Sequence, residues 1–201
     1  MNPIIKNIQT RRSIRKYKDK AIPKNVIEEI IEAGRYAPSS HNSQPWRFIV
    51  VTNKKKIKEI SDYVKNWFKG RLKLGYMIGL FNKKIKEELA SAKNRLDTGK
   101  DLFFYDAPLL VLVCAKKGRF AEKDCSCAAE NMLLAARSLG IGSCWIGFAD
   151  LALSRSRMLL YDLGVPKWHD LMATLVFGYA EKFPEKAFPR KEEANILNWI
   201  S

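Results

Sequence analysis

Tyr36-Ala37-Pro38-Ser39-Ser40-His41-Asn42-Ser43-Gln44-Pro45-Trp46-Arg47-Phe48 sets two prolines around small polar residues and closes on an aromatic that opens a strand. Pro38 disfavours the helical region at the residue before it, so the helix running in must end there. Between the prolines, serines, an asparagine and a glutamine offer donors and acceptors with little bulk and no fixed charge. The stretch reads either as a functional loop for a flat, polar-edged ligand or as an ordinary helix-to-strand connection rich in turn formers.

Upstream, Pro23 opens a helix whose Val26, Ile27, Ile30, Ile31 and Ala33 or Gly34 share one face. Asn2 and Pro3 start a shorter one, with Ile4, Ile5 and Ile8 as its apolar side, ending near Thr10. Between them lies Arg11-Arg12-Ser13-Ile14-Arg15-Lys16-Tyr17. Guanidinium forks beside a hydroxyl suit a phosphate, and their mutual repulsion falls when an anion sits among them. A plain basic loop is the alternative.

Downstream, Arg47 to Thr52 reads as a buried strand, followed by a lysine-rich helix with Ile57, Ile60, Val64 and Trp67 or Phe68 inward, stopping near Gly70. Leu72 to Phe81 is either core or an apolar lid, and a helix capped by Asn82 ends at Gly99. Pro108 to Ala115 is a strand apolar on both faces. A long helix from about Phe120 to Leu139 ends at Gly140, and its Ala128, Ala129, Ala135 and Ala136 allow close approach. Ile141 to Phe148 turns into a strand in which Gly147, lacking a side chain, lets a planar ring near the main chain. Asp150 is expected to cap a helix to Leu163, and Leu171 to Tyr179 is the last strand. The tail from Phe183 carries Ile196, Leu197, Trp199 and Ile200, which need a surface, so it is predicted to wrap a partner subunit.

At 201 residues, without a linker or repeat, residues 1–201 read as a single domain. Apolar runs fall short of a membrane span, no signal segment opens the chain, and the four cysteines lack disulfide spacing, which points to the cytoplasm. All four cysteines are read as small core residues. The formal charge of +15 raises non-specific affinity for nucleic acids and acidic proteins. No nucleic-acid-binding motif accompanies it, so nucleic acid is not predicted as the partner. Two histidines and the cysteine spacing argue against a metal site, and no nucleophile motif, metalloprotease motif or dinucleotide fingerprint is present.

Pro38-Ser39-Ser40-His41-Asn42-Ser43-Gln44-Pro45-Trp46-Arg47-Phe48, preceded by Arg11-Arg12-Ser13-Ile14-Arg15-Lys16-Tyr17, resembles the nitroreductase family of FMN-dependent oxidoreductases. The resemblance continues through Ala107 to Val113, Glu130 to Gly147, Phe177-Gly178-Tyr179 and Pro189-Arg190-Lys191, nearly the whole chain. It implies an α+β fold with a central mixed, mainly antiparallel sheet flanked by helices, in an intertwined homodimer with C-terminal tail exchange. It implies bound FMN, with NADH or NADPH as a transient donor and a small nitroaromatic or quinone as acceptor. The flavin then carries the chemistry, and no residue of the chain is cast as catalytic. Arg11, Arg12, Ser13, Arg15, Arg190 and Lys191 are implied to hold the phosphate and ribityl chain. Pro38, Ser39, Ser40, Asn42 and Gln44 are implied to reach the flavin from the neighbouring protomer, and Ile146 and Gly147 to lie against its ring. A specialised flavin enzyme of the same fold, such as a reductive dehalogenase or a flavin-cleaving enzyme, is the nearest alternative. A basic module binding nucleic acid or an acidic protein is the alternative from another class, and an acidic redox carrier is left open as a partner.

Overall fold

The computed structural model describes residues 1–78, 94, 96–184, 190, 198 and 200, with side chains of 73–78 left aside. Asn2 caps helix α1 (Pro3–Thr10) by accepting hydrogen bonds from the N–H groups of Ile4 and Ile5, the local logic expected of an Asn-Pro start. Helix α2 (Lys24–Arg35) follows Pro23 and buries Ile27, Ile30 and Gly34. Strand β1 (Trp46–Val51) and helix α3 (Lys54–Ile78) come next. Strand β2 (Leu109–Lys116), helix α4 (Ala121–Ser138) and strand β3 (Gly142–Trp145) follow. Two short helices, α5 (Gly147–Leu153) and α6 (Arg157–Asp162), lead into strand β4 (His169–Gly178).

The four strands form one sheet in the order β1-β2-β4-β3, antiparallel at every pair. Parallel pairing, part of the mixed sheet expected from the sequence, is confined among the described residues to an isolated bridge between Ser13 and Ser143. Strand β2 sits second in the sheet with helices on both sides. Leu110, Leu112 and Cys114 face a core with α3, α5 and α6, while Leu109, Val111, Val113 and Ala115 face one with α2 and α4. That two-sided burial is why its sequence is continuously apolar. A bulge between Val113 and Cys114 brings Leu171 opposite Cys114.

Several expectations need correction. Helix α3 runs through Gly70 to Ile78, because a glycine in a helix interior disfavours the helix by only about 1 kcal/mol and nothing there supplies a terminating turn. Within the lid-or-core segment, residues 72–78 therefore continue α3 and Leu72 packs against the core, while 79–81 lie outside the described residues. So does most of the helix expected after Asn82, apart from helical Asn94 and Leu96. Asp150 does not cap a helix: its carboxylate turns to the Trp145 indole, and Ser156 caps α6 instead. Of the cysteines, Cys114, Cys125 and Cys144 are buried but Cys127 is exposed, since two residues along a helix turn a side chain to another face. Ala128, Ala129 and Ala136 are covered by this chain itself: a Cβ on Gly34 would lie 2.7 Å from Met132 Cγ, so α2 packs directly on α4. Gly140, at φ 72, ends α4 as expected, with Ile141 N–H reaching back to the Ala136 carbonyl at 2.8 Å.

Candidate functional site

The arginine-rich segment is stitched to the β3 edge of the sheet. Ile14 N–H donates to the Ser143 carbonyl at 2.9 Å, and Tyr17 pairs with Ala180 just beyond β4. Tyr17 is buried and its hydroxyl donates to the Ile14 carbonyl at 2.7 Å, with burial pushing the phenol upward. A side chain at Gly178 would collide with Tyr17 and Pro108 at 2.7 Å, and one at Gly142 would press on Ile14 at 3.0 Å. Buried Ile14 and Tyr17 thus act as two pegs, and the alternation of an extended chain turns Ser13 and Arg15 to the exposed side.

Four expected phosphate ligands are gathered here. Arg11 Nε pairs with Glu130 of α4 at 3.3 Å, whereas Arg12 and Arg15 have no carboxylate partner among the described residues. Arg12 Nη1 donates to the carbonyls of Gln9 and Arg11, and its buried Nε has no partner. Cys144 lies beneath the cluster. Burial raises its thiol, while Arg15, a hydrogen bond with Ser13, and Arg11 pull it back down. The set is cationic and incompletely paired, and its unspent Nε–H and exposed hydroxyl match a phosphate dianion.

Strand β3 stops at Trp145, so Ile146 and Gly147 stand not inside the strand expected over Ile141 to Phe148 but at the start of α5, just past the same edge. Ile146 N–H is tied to the Thr174 carbonyl at 2.8 Å, and its side chain is buried in the core, so only its main chain can face a ligand. A Cβ built on Gly147 meets nothing within 4 Å. Its φ is not positive, so this glycine answers no backbone demand; what it leaves is open space. That space beside the phosphate-type cluster is where the residues present fit a flat ring carrying a phosphate tail.

The loop from Pro38 to Gln44 is elsewhere. It precedes β1, at the opposite edge of the sheet, three strand spacings or about 14 Å from β3. Within it Ser39 Oγ accepts from Gln44 N–H at 3.0 Å, and Gln44 Nε2 donates to Asn42 Oδ1 at 2.9 Å. A buried carboxylate, Asp124, accepts from Ser40 N–H at 3.3 Å and fastens the loop to the first turn of α4. In sequence Asp124 is one acid among several in an amphipathic helix, and no local signal separates it from a solvated one. Of the tail residues, Arg190 is exposed and Lys191 lies outside the described residues.

A second polar contact joins the end of β3 to α5. Trp145 Nε1–H donates to Asp150 Oδ2 at 2.8 Å. Burial pushes the Asp150 carboxyl up to about 6, offset in part by Thr174 and by the indole. Among the described residues, no group of acidic, histidine or cysteine side chains could hold a metal ion, and no helix is long and apolar enough to cross a membrane.

Against known proteins, residues 8–179 match the model of the nitroreductase family. An Archaeoglobus fulgidus protein, whose name pairs NADH dehydrogenase with NAD(P)H nitroreductase, is 33% identical over 185 residues, covering 89% of this chain and 86% of its own. The NAD(P)H-dependent FMN reductase of Bacillus subtilis is 30% identical over 200 residues, covering 97% of this chain and 73% of its own. The crystal structure of a Bacteroides fragilis nitroreductase with bound FMN superposes with a TM-score of 0.76 at 32% identity, over 100% of both chains.

Proposed function

The chain belongs to the nitroreductase family, and from that membership we propose that it works as an FMN-dependent NAD(P)H oxidoreductase passing electrons to a small nitroaromatic or quinone. The observation that carries the reading is the meeting of Arg11, Arg12, Ser13 and Arg15 with the open space at Gly147 along one sheet edge. When bound, FMN supplies the two-electron chemistry, taking a hydride from NADH or NADPH and yielding it to the acceptor in a separate, ping-pong half-reaction. The chain's own work is binding and orientation. Arg12 and Arg15 hold the phosphate dianion, and Arg11, already committed to Glu130, contributes charge at the margin. The main chain at Ile146 and Gly147 forms the floor, kept flat by the missing side chain.

The same reading makes the protein a homodimer. One chain cannot bring the Pro38–Gln44 loop to its own β3 edge across the intervening strands, so Pro38, Ser39, Ser40, Asn42 and Gln44 serve the partner's site. Helix α1 supports this, since it buries none of its residues within the chain and exposes Ile4, Ile5 and Ile8 along one side. Arg190 and Lys191 are proposed to join the phosphate site as the tail is exchanged. Purified protein is expected to show flavin absorption that bleaches with NADH or NADPH without oxygen. Arg15→Ala is expected to weaken FMN binding by about 10–100-fold, read by cofactor titration. Flavin-free wild type that fails to take up added FMN would sink the proposal.

A further inference from the structure

The loop carries one titratable side chain, His41, to which the proposed function gives no role. It is exposed at φ 54 and ψ 28, and Asn42 and Gln44 are also left-handed, at φ 52 and 44. Such backbone at a non-glycine residue is disfavoured by about 1–2 kcal/mol and persists only where its surroundings over-determine it. The determinants here are the Ser39–Gln44 and Gln44–Asn42 hydrogen bonds and the Asp124 anchor on Ser40. Ser39, Asn42 and Gln44 therefore spend polar atoms on shaping the loop, while His41 is presented by it. Ser40 Oγ lies 3.0 Å from His41 Nδ1. With Ser40 Oγ accepting from Nδ1–H, the ring keeps its Nδ1 proton in both charge states, and the imidazolium's second proton sits on Nε2, the nitrogen outside that contact.

We propose that His41 is the acceptor-binding general acid of the oxidative half-reaction, and that Asp124 is its positioning residue acting through Ser40. The proposal rests on the functional reading above, with this loop at the partner's site. Nε2–H hydrogen-bonds a quinone or nitro oxygen, and the imidazolium gives that oxygen its proton. For a quinone the step balances as one hydride equivalent, furnished by the NAD(P)H-driven activity, plus one proton. The Nε2–H bond breaks, an O–H bond forms, hydroquinone leaves, and the neutral imidazole is recharged from water. Two charged groups reach the loop from packed elements. Asp124 comes from α4, and Arg47 comes from β1, its Nη1 donating to the carbonyls of Gln44 at 3.4 Å and Trp46 at 2.7 Å.

The test uses the FMN-loaded dimer, with His41→Gln and Asp124→Asn beside wild type. FMN content, reduction by NADH or NADPH, and reoxidation by 1,4-benzoquinone across pH 5 to 9 are measured separately. His41→Gln is expected to slow reoxidation about 100-fold on the acid side and to flatten its pH profile, with the loss confined to that half-reaction. Nitrogen-15 spectra of histidine-labelled protein give a readout apart from turnover, because the chain has only two histidines and His41→Gln identifies one of them. Neutral His41 is expected to be protonated on Nδ1 in wild type and to mix tautomers in Asp124→Asn. An unchanged reoxidation profile in FMN-replete His41→Gln, or a neutral ring protonated on Nε2, overturns the proposal and leaves the oxidoreductase reading standing. Wild type that binds no FMN overturns both.

Discussion

The loop at 38–44 and the turn at 99–107 share a backbone habit and put it to opposite uses. Each places non-glycine residues in the left-handed region, His41, Asn42 and Gln44 in one, Tyr105 and Asp106 in the other. A carboxylate holds each of them. Asp124 gives the loop a single hydrogen bond, to Ser40 N–H. Asp101 gathers four: Ser61 Oγ at 2.6 Å and the N–H groups of Phe103, Phe104 and Asp106 at 2.9–3.2 Å. Phe103 and Phe104 are then driven into the core, whereas His41, Asn42 and Gln44 stay exposed. Backbone strain alone therefore does not mark a site. What separates the binding loop from the structural knot is the company the strained residues keep: half-buried Tyr105 and exposed Asp106 adjoin Phe103 and Phe104 in the core, whereas the strained residues of the loop have no such buried neighbours within it.

Breaking the knot should have the largest effect. Asp101→Ala leaves the buried Ser61 hydroxyl and three N–H groups without their acceptor, and is expected to lower unfolding free energy by roughly 3 kcal/mol in a urea titration. Loss of under about 1 kcal/mol would show the turn to be held by its phenylalanines alone. Asp150 sharpens the comparison as a buried carboxyl that serves neither strained segment. Its carboxyl is raised in the folded chain, so its contribution to stability is complete below the ordinary carboxylate range and is lost as pH rises through about 6. Asp150→Asn should therefore gain on wild type between pH 4 and 7, by on the order of 1–3 kcal/mol, in parallel urea titrations. A constant difference across that range would refute the raised carboxyl. The smallest effect contrasts two residues of nearly equal φ. Tyr105→Gly relieves strain but gives up packing against the core, and is expected to destabilise by about 1–2 kcal/mol. His41→Gly, with no packing to lose, is expected to be neutral or to stabilise by up to about 1 kcal/mol in thermal melts. Equal shifts for the two would erase the distinction.

Much of this is legible in the sequence, and the legible part is local. Asn2 caps α1 and Gly140 closes α4 because capping is a matter of a few consecutive residues. The two-sided burial of β2 follows from its unbroken apolar run. Where the local reading failed, the cause was a side-chain contact or a helix geometry that residue type alone does not record. Asp150 looks like a helix cap, but the Trp145 indole claims its carboxylate. Gly70 looks like a stop, but α3 continues through it. Asp124 looks like a surface acid and instead holds the loop, and Cys127 looks like its buried neighbour Cys125 and is exposed.

The sequence by itself determined the family, the elements and the polar, proline-bounded character of the loop, because turn chemistry, capping and hydrophobic period are written within a few residues of where they act. Only the tertiary structure decided that the arginine cluster and Gly147 lie along one edge of the sheet and the loop at the other. Strand order depends on contacts between segments more than a hundred residues apart, such as Ser13 on Ser143, and no local pattern records it. From that order comes the proposal of a site shared by two chains.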